Sequence, residues 1–113
     1  MQNKVVIVSA VRTPLGCFMG SLSNLSAVDL GITALEGAIS NINLDKTLID
    51  ELIIGQVLQT GCGQAPAKQI AMSLKLDSNI PCSTVNKVCS SGMKAVSLAA
   101  QSIQLGINEV VIA

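Results

Sequence analysis

The chain has 113 residues, with seven basic and seven acidic side chains, no His, Trp or Tyr, and one aromatic residue, Phe18. Formal neutrality without a Lys/Arg cluster argues against nucleic acid and anionic membrane surfaces as partners, because both are recognised through concentrated positive charge. Charged residues make up 12% of the chain and hydrophobic ones 50%, against about 25% charged in an ordinary globular domain.

No apolar run approaches the ~20 residues that span a bilayer. So sparse a charged surface predicts burial against further segments of the same fold, against other subunits, or both. Lys4 is followed only by Val5-Val6-Ile7-Val8, too short for the apolar region of a secretory signal, and no Arg- and Ser-rich transit segment is present. The expected location is cytoplasmic, with an organelle left open. In such a reducing compartment Cys17, Cys62, Cys82 and Cys89 are free thiols. With no His and no CxxC spacing, no metal site is expected.

Residues 4–10, Lys-Val-Val-Ile-Val-Ser-Ala, form a continuous apolar run, the pattern of a parallel strand covered on both faces. Arg12-Thr13-Pro14-Leu15-Gly16 breaks it into a loop. Ser26 is expected to begin a helix, with Asp29 three residues on as a weaker version of the capping box. Val28, Ile32, Leu35 and Ile39 then follow on one face. Gly31 and Gly37 each cost such a helix about 1 kcal/mol relative to Ala unless close packing requires them. Asn41 to Leu44 reads as the exit, and Asp45 as the cap of a short further turn.

Residues 52–58 are a second expected strand, and the bend Gly61-Cys62-Gly63 leads to a helix from about Pro66 to Lys75. Proline suits the first helical turn, where its missing N–H has no partner to lose. Pro81 opens a third strand, Ser83 to Val88. A helix is expected from Cys89 to about Leu105, with Met93, Val96, Ala100 and Ile103 on its apolar face and Gly106 as its stop. Residues 109–113 form a last apolar strand with no polar tail after it, so the chain is expected to be the front part of a larger protein. The order β-α-β-α-β-α-β implies an α/β layered fold, with right-handed crossovers wherever consecutive strands are parallel.

Three candidate sites emerge. Gly61-Cys62-Gly63-Gln64-Ala65-Pro66 has the place of a dinucleotide fingerprint, but Pro66 stands where its third glycine belongs, and no acidic residue closes a following strand. A plain βα turn is the better reading. Arg12 beside Pro14 has the ordinary role of a structural hydrogen bonder or surface charge. Cys89 is the third. Packing as a small hydrophobe is the common fate of a cysteine, yet this one stands at an expected strand-to-helix junction with only Ser90, Ser91 and Gly92 after it. Unpaired amides and the positive end of the helix dipole favour thiolate there, the nucleophilic form. Lys87 and Lys94 flank it in sequence. From the residues alone, nucleophile and core thiol both stay open; Cys17, Cys62 and Cys82 lack this context.

Asn86-Lys87-Val88-Cys89-Ser90-Ser91-Gly92-Met93-Lys94-Ala95 resembles the nucleophile motif of the thiolase family, closest to its acetyl-CoA acetyltransferase branch. Val8 to Pro14 with Gly20-Ser21-Leu22, Gly55 to Gln59, Gly63 to Gln69 and Asn108 to Ala113 resemble further family signatures in the family's order. The resemblance implies a thiolase-like layered fold, present as a partial N-terminal half. Residues 1–113 are then an incomplete N-terminal thiolase domain, with the rest of that domain and a whole C-terminal domain outside the chain.

The resemblance also implies that Cys89 is catalytic, taking an acyl group from an acyl-CoA as a thioester. A second acetyl-CoA, deprotonated, then attacks it; the reverse reaction is thiolysis by CoA. Acyl-CoA and CoA are the implied partners, with CoA thioesters as substrates and no permanently bound cofactor. A homo-oligomer is implied for the full-length protein, paired through the strand around Ser83–Val88. The family's activating His and second Cys come from later segments, as does one of two oxyanion donors, the other being the Cys89 amide. With no His, this chain alone is expected to be inactive; with only about three helices to cover buried-type parallel strands, it is also expected to be poorly soluble or oligomeric. Two further readings stand beside this one: a non-catalytic thiolase-like fragment acting as an interaction module, and a redox or nucleotide-binding α/β module, which Pro66 and the lack of CxxC weaken.

Overall fold

The computed structural model describes residues 3–113. Its first regular element is helix α1 (Ala27–Asn41), and its start is set locally. Ser26 Oγ accepts the Asp29 amide at 3.0 Å, while the Asp29 carboxylate accepts the Ser26 amide and hydroxyl, each at 2.8 Å. Both halves of the capping box are therefore formed. These bonds, the backbone one foremost, hold the Asp29 carboxyl below its usual pKa. Asp45 caps a single 3₁₀ turn, Lys46–Leu48, its carboxylate accepting the Thr47 amide and hydroxyl.

Strand β1 (Glu51–Gly55) lies at the centre of a three-stranded parallel sheet, between β2 (Cys82–Val85) and β3 (Val111–Ile112). Leu52 stands opposite Cys82 on one side and Ile112 on the other, and Gly55 opposite Val85. Because side chains alternate across a strand, β1 feeds two cores. Leu52, fully buried, joins Leu35 and Ile39 of α1 and Ala67, Ile70 and Ala71 of helix α2 (Pro66–Ser73). Ile53 faces the other way, against Ala95 and Ala99 of helix α3 (Ser91–Gln104). The result is the expected layered α/β arrangement, with helices on both faces of a parallel sheet.

Gly31 sits where α1 crosses α2, and a Cβ there would meet the tip of Ile70. Close packing thus accounts for Gly31, though not for Gly37, whose nearest neighbour would be Val11 Cγ2 at 3.9 Å. The far edge is fastened by Asp50, whose carboxylate accepts the Glu109 and Val110 amides at 2.8 and 2.9 Å. Those two bonds, that of Val110 first, hold its pKa below the ordinary carboxylate value. Asn108 ties the end of α3 to β1, donating to Ser102 Oγ at 2.7 Å and Glu51 Oε2 at 2.6 Å.

Three expectations need correction. Residues 4–10 are not a strand. A strand exists through main-chain partners, and a cavity of about 550 Å³, lined by Val5–Val11 and by Val110–Ala113, separates this segment from β3. Its ties are the Asn3 amide to Gln104 O (3.4 Å), Asn3 Nδ2 to Ile103 O (3.1 Å) and Ser9 Oγ to Ala38 O (2.9 Å). The strands are also shorter than expected: β1 stops at Gly55 rather than 58, β2 at Val85 rather than 88, and β3 has two residues. Lastly, α3 buries Ser91, Ala95 and Ala99, not the stripe of larger residues. Met93 is 71% exposed and Val96 42%, because the sheet approaches too closely for anything but small side chains.

Candidate active site

Strands β1 and β2 run parallel toward the same end of the sheet, and the chain leaves that end of β2 through the turn Asn86–Ser90 before entering α3. Cys89 lies in this turn and is exposed. Helix α3 begins at Ser91, with Ser90 as its N-cap, so the thiol sits one residue before the cap rather than at the first helical position. The Ser90 side chain makes no capping hydrogen bond. The positive end of the helix thus faces the turn without a side-chain oxygen to screen it.

The turn itself is unusual. Val88 has φ 49°, a left-handed conformation that costs a non-glycine residue about 1–3 kcal/mol and that β-branched residues rarely adopt. It is gripped at both of its polar groups. The Val88 amide donates to Asn86 Oδ1 at 2.9 Å, and the Val88 carbonyl accepts the Ser91 hydroxyl at 2.7 Å and the Ser91 amide at 3.1 Å. Ser91 Oγ in turn accepts the Lys87 amide at 2.8 Å. Ser91 is 4% exposed, a buried polar side chain. Asn86 Nδ2 also reaches Val57 O at 3.4 Å, joining the turn to the segment that leaves β1.

Beneath the turn, Gly55 brings the end of β1 against the backbone of Ser91 and Gly92, which occupies the space a Cβ would need. Asn86, Ser91 and Gly55 were not singled out as site residues in the sequence. The available signals were local: an Asn three residues before the cysteine suits an Asx turn, and a glycine inside a strand often marks a close backbone approach.

The other candidates are structural. Gly61 and Gly63 both have φ 77°, and the carbonyls of their bend are occupied: Gln69 Nε2 donates to Cys62 O at 2.7 Å and Gln64 O at 2.9 Å. This is the βα turn expected in place of a nucleotide site. Arg12 is exposed, its guanidinium donating to Thr13 O at 3.2 Å. Cys17 is exposed and Cys62 half-buried, with Gln56 Nε2 donating to the Cys62 sulfur at 3.3 Å. Cys82 is half-buried in β2; burial pushes its thiol pKa up, against the opposing pull of Lys68, and Glu51 adds to the rise. A raised pKa makes Cys82 a poor nucleophile.

A parallel sheet sandwiched by helices, with an exposed cysteine in a constrained turn ahead of a small-residue helix, matches the family model "Thiolase, N-terminal domain" over residues 5–113. The chain belongs to the thiolase family. It is 53% identical over 109 residues to acetyl-CoA acetyltransferase 2 of Arabidopsis thaliana, covering 96% of this chain and 27% of that protein. To the mitochondrial acetyl-CoA acetyltransferase of Bos taurus it is 49% identical over 111 residues, covering 98% and 26%. Among solved structures, the Acat5 thiolase of Ascaris suum in complex with coenzyme A superposes with TM-score 0.87 at 44% identity, covering 91% of this chain and 27% of that one. The chain therefore spans about a quarter of the length of these relatives. Among the described residues, no helix is long and apolar enough to cross a membrane.

Proposed function

We propose that this chain is the incomplete N-terminal domain of an acetyl-CoA C-acetyltransferase, in which Cys89 accepts the acyl group of an acyl-CoA. The observation that carries the reading is the exposed Cys89 thiol, held in a constrained turn at the uncapped start of α3. The Cys89 thiolate attacks the thioester carbonyl, the C–S bond to CoA breaks, and CoA leaves as its thiolate, which takes up the proton that Cys89 gave to its base; an acetyl-cysteine remains, and the Cys89 amide is one donor to the oxyanion. The carbanion of a second acetyl-CoA then displaces Cys89 to give a 3-ketoacyl-CoA, and thiolysis by CoA is the reverse. CoA thioesters are substrates here, with no permanently bound cofactor. The assembled enzyme is a cytoplasmic or organellar homo-oligomer.

The 113 residues include no His, so a histidine base that activates Cys89 is supplied by other segments. Incubation of the chain with acetyl-CoA followed by peptide mapping tests the reading. The expected product is a hydroxylamine-labile acetyl group on Cys89 in preference to Cys17. Equal acetylation of the two exposed thiols, or none on Cys89, refutes it. Acetoacetyl-CoA with CoA is expected to give no turnover on this chain, and robust thiolysis would remove the requirement for an external base.

A further inference from the structure

We infer that Ser91 and Asn86 are positioning residues for Cys89, holding the turn that carries the thiol in a conformation its own sequence disfavours. The inference rests on Cys89 being the acyl acceptor proposed above. Val88, the residue immediately before it, is β-branched and sits at φ 49°. Such a conformation persists only where its surroundings impose it. Beside the Ser91 amide, which also donates to the Val88 carbonyl at 3.1 Å, two side chains act on the two polar groups of this one residue. Asn86 Oδ1 holds the Val88 amide at 2.9 Å and Ser91 Oγ the Val88 carbonyl at 2.7 Å.

Each grip is itself anchored. Ser91 Oγ accepts the Lys87 amide at 2.8 Å and is buried, so its hydroxyl is committed as both donor and acceptor. Asn86 uses its amide nitrogen on Val57 O at 3.4 Å, beyond the end of β1. The hydrogen bonds these two side chains make among the described residues go to Val57, Lys87, Val88 and each other, and none goes to Cys89. They act on the thiol through the backbone alone. Without them Val88 relaxes to negative φ, and rotation there redirects the next residue, which is Cys89. The clamp thus fixes the backbone from which the exposed Cys89 side chain departs, one residue before the N-cap of α3.

Alkylation of the 113-residue chain by iodoacetamide, read at Cys89 and Cys17 by peptide mass spectrometry across a pH series, tests this with Cys17 as internal control. Ser91→Ala is expected to slow Cys89 about tenfold, the factor that strain of this kind corresponds to, and to move its pH profile, leaving Cys17 unchanged. Asn86→Ala, at an exposed position, acts in the same direction. Adding Val88→Gly to either variant restores the Cys89 rate, because glycine takes positive φ without strain. A loss that came from packing alone would not be recovered by a second, smaller residue, and that result overturns the inference. Should Ser91→Ala fail to fold by circular dichroism, the Asn86→Ala pair carries the same test. A wild-type Cys89 faster than Cys17, with both single variants leaving it unchanged, overturns the positioning role alone. Equal wild-type rates at the two thiols overturn the acyl-acceptor reading, and the inference with it.

Discussion

Replacing Gly55 with alanine tests how tightly the central strand is pressed against the start of α3. The added Cβ would lie on the backbone of Ser91 and Gly92, which cannot rotate aside as the tip of a side chain can. Restoring an ordinary carbon contact of about 3.5–4.0 Å requires α3 or β1 to shift by roughly 1–1.5 Å. Overpacking a close core costs about 1–3 kcal/mol, and a backbone-on-backbone clash places Gly55→Ala at the upper end. That is a large share of the about 5–15 kcal/mol that holds a domain folded.

Two glycines of α1 calibrate the result. Gly37→Ala meets nothing closer than Val11 Cγ2 at 3.9 Å and is expected to gain about 1 kcal/mol from helix propensity. Gly31→Ala gains the same but must displace the tip of Ile70, and is expected to fall slightly below wild type. Urea denaturation should order the midpoints Gly37→Ala, wild type, Gly31→Ala, Gly55→Ala, and Gly55→Ala should also slow alkylation of Cys89. A Gly55→Ala chain within about 0.5 kcal/mol of wild type, the range of a neutral surface substitution, would falsify the close approach.

The Asp50 carboxylate accepts two amides of the segment entering β3, and its pKa is depressed by them. Its contribution is complete above the unfolded carboxylate value of about 3.9 and is lost as pH falls through the lower native value. Asp50→Asn should therefore make the decline of the urea midpoint with acid shallower by one group's share, and an unchanged decline would show that this carboxylate does not fasten β3. Val6, Ile7 and Val8 are 61%, 77% and 65% exposed, and Leu15 and Phe18 are 95% and 96%. An apolar surface of that kind predicts concentration-dependent self-association in sedimentation velocity, reduced by Ile7→Ser with Phe18→Ser; a monodisperse monomer at all concentrations contradicts it.

The elements legible in the sequence are those whose determinants lie within a few residues. Ser26 and Asp29 specify the start of α1 by bonding each other, and Pro66 opens α2 at the position where its missing amide costs nothing. Gly106, at φ 71°, ends α3 where expected, its amide donating to Ile103 O at 3.0 Å. Cys89 was legible as a thiol near a helix start because strand, turn and helix follow one another directly there. The first apolar run and the face of α3 were not legible in the same way. Both depend on which surface another element presents, and a run such as Lys4–Ala10 has the same composition whether or not a neighbouring strand offers it hydrogen bonds.

By itself, then, the sequence determined the start of α1, the bend at Gly61–Gly63, the stop at Gly106 and the placing of Cys89 between β2 and α3, since each follows from short-range backbone chemistry. Tertiary structure alone decided that α3 turns its small residues to the sheet, that Gly55 touches Ser91 and Gly92, and that Asn86 and Ser91 close on Val88. Contact between β1 and the start of α3 joins residues more than thirty positions apart. No local propensity encodes such a distance; it is fixed only when the packed sheet brings the two backbones together.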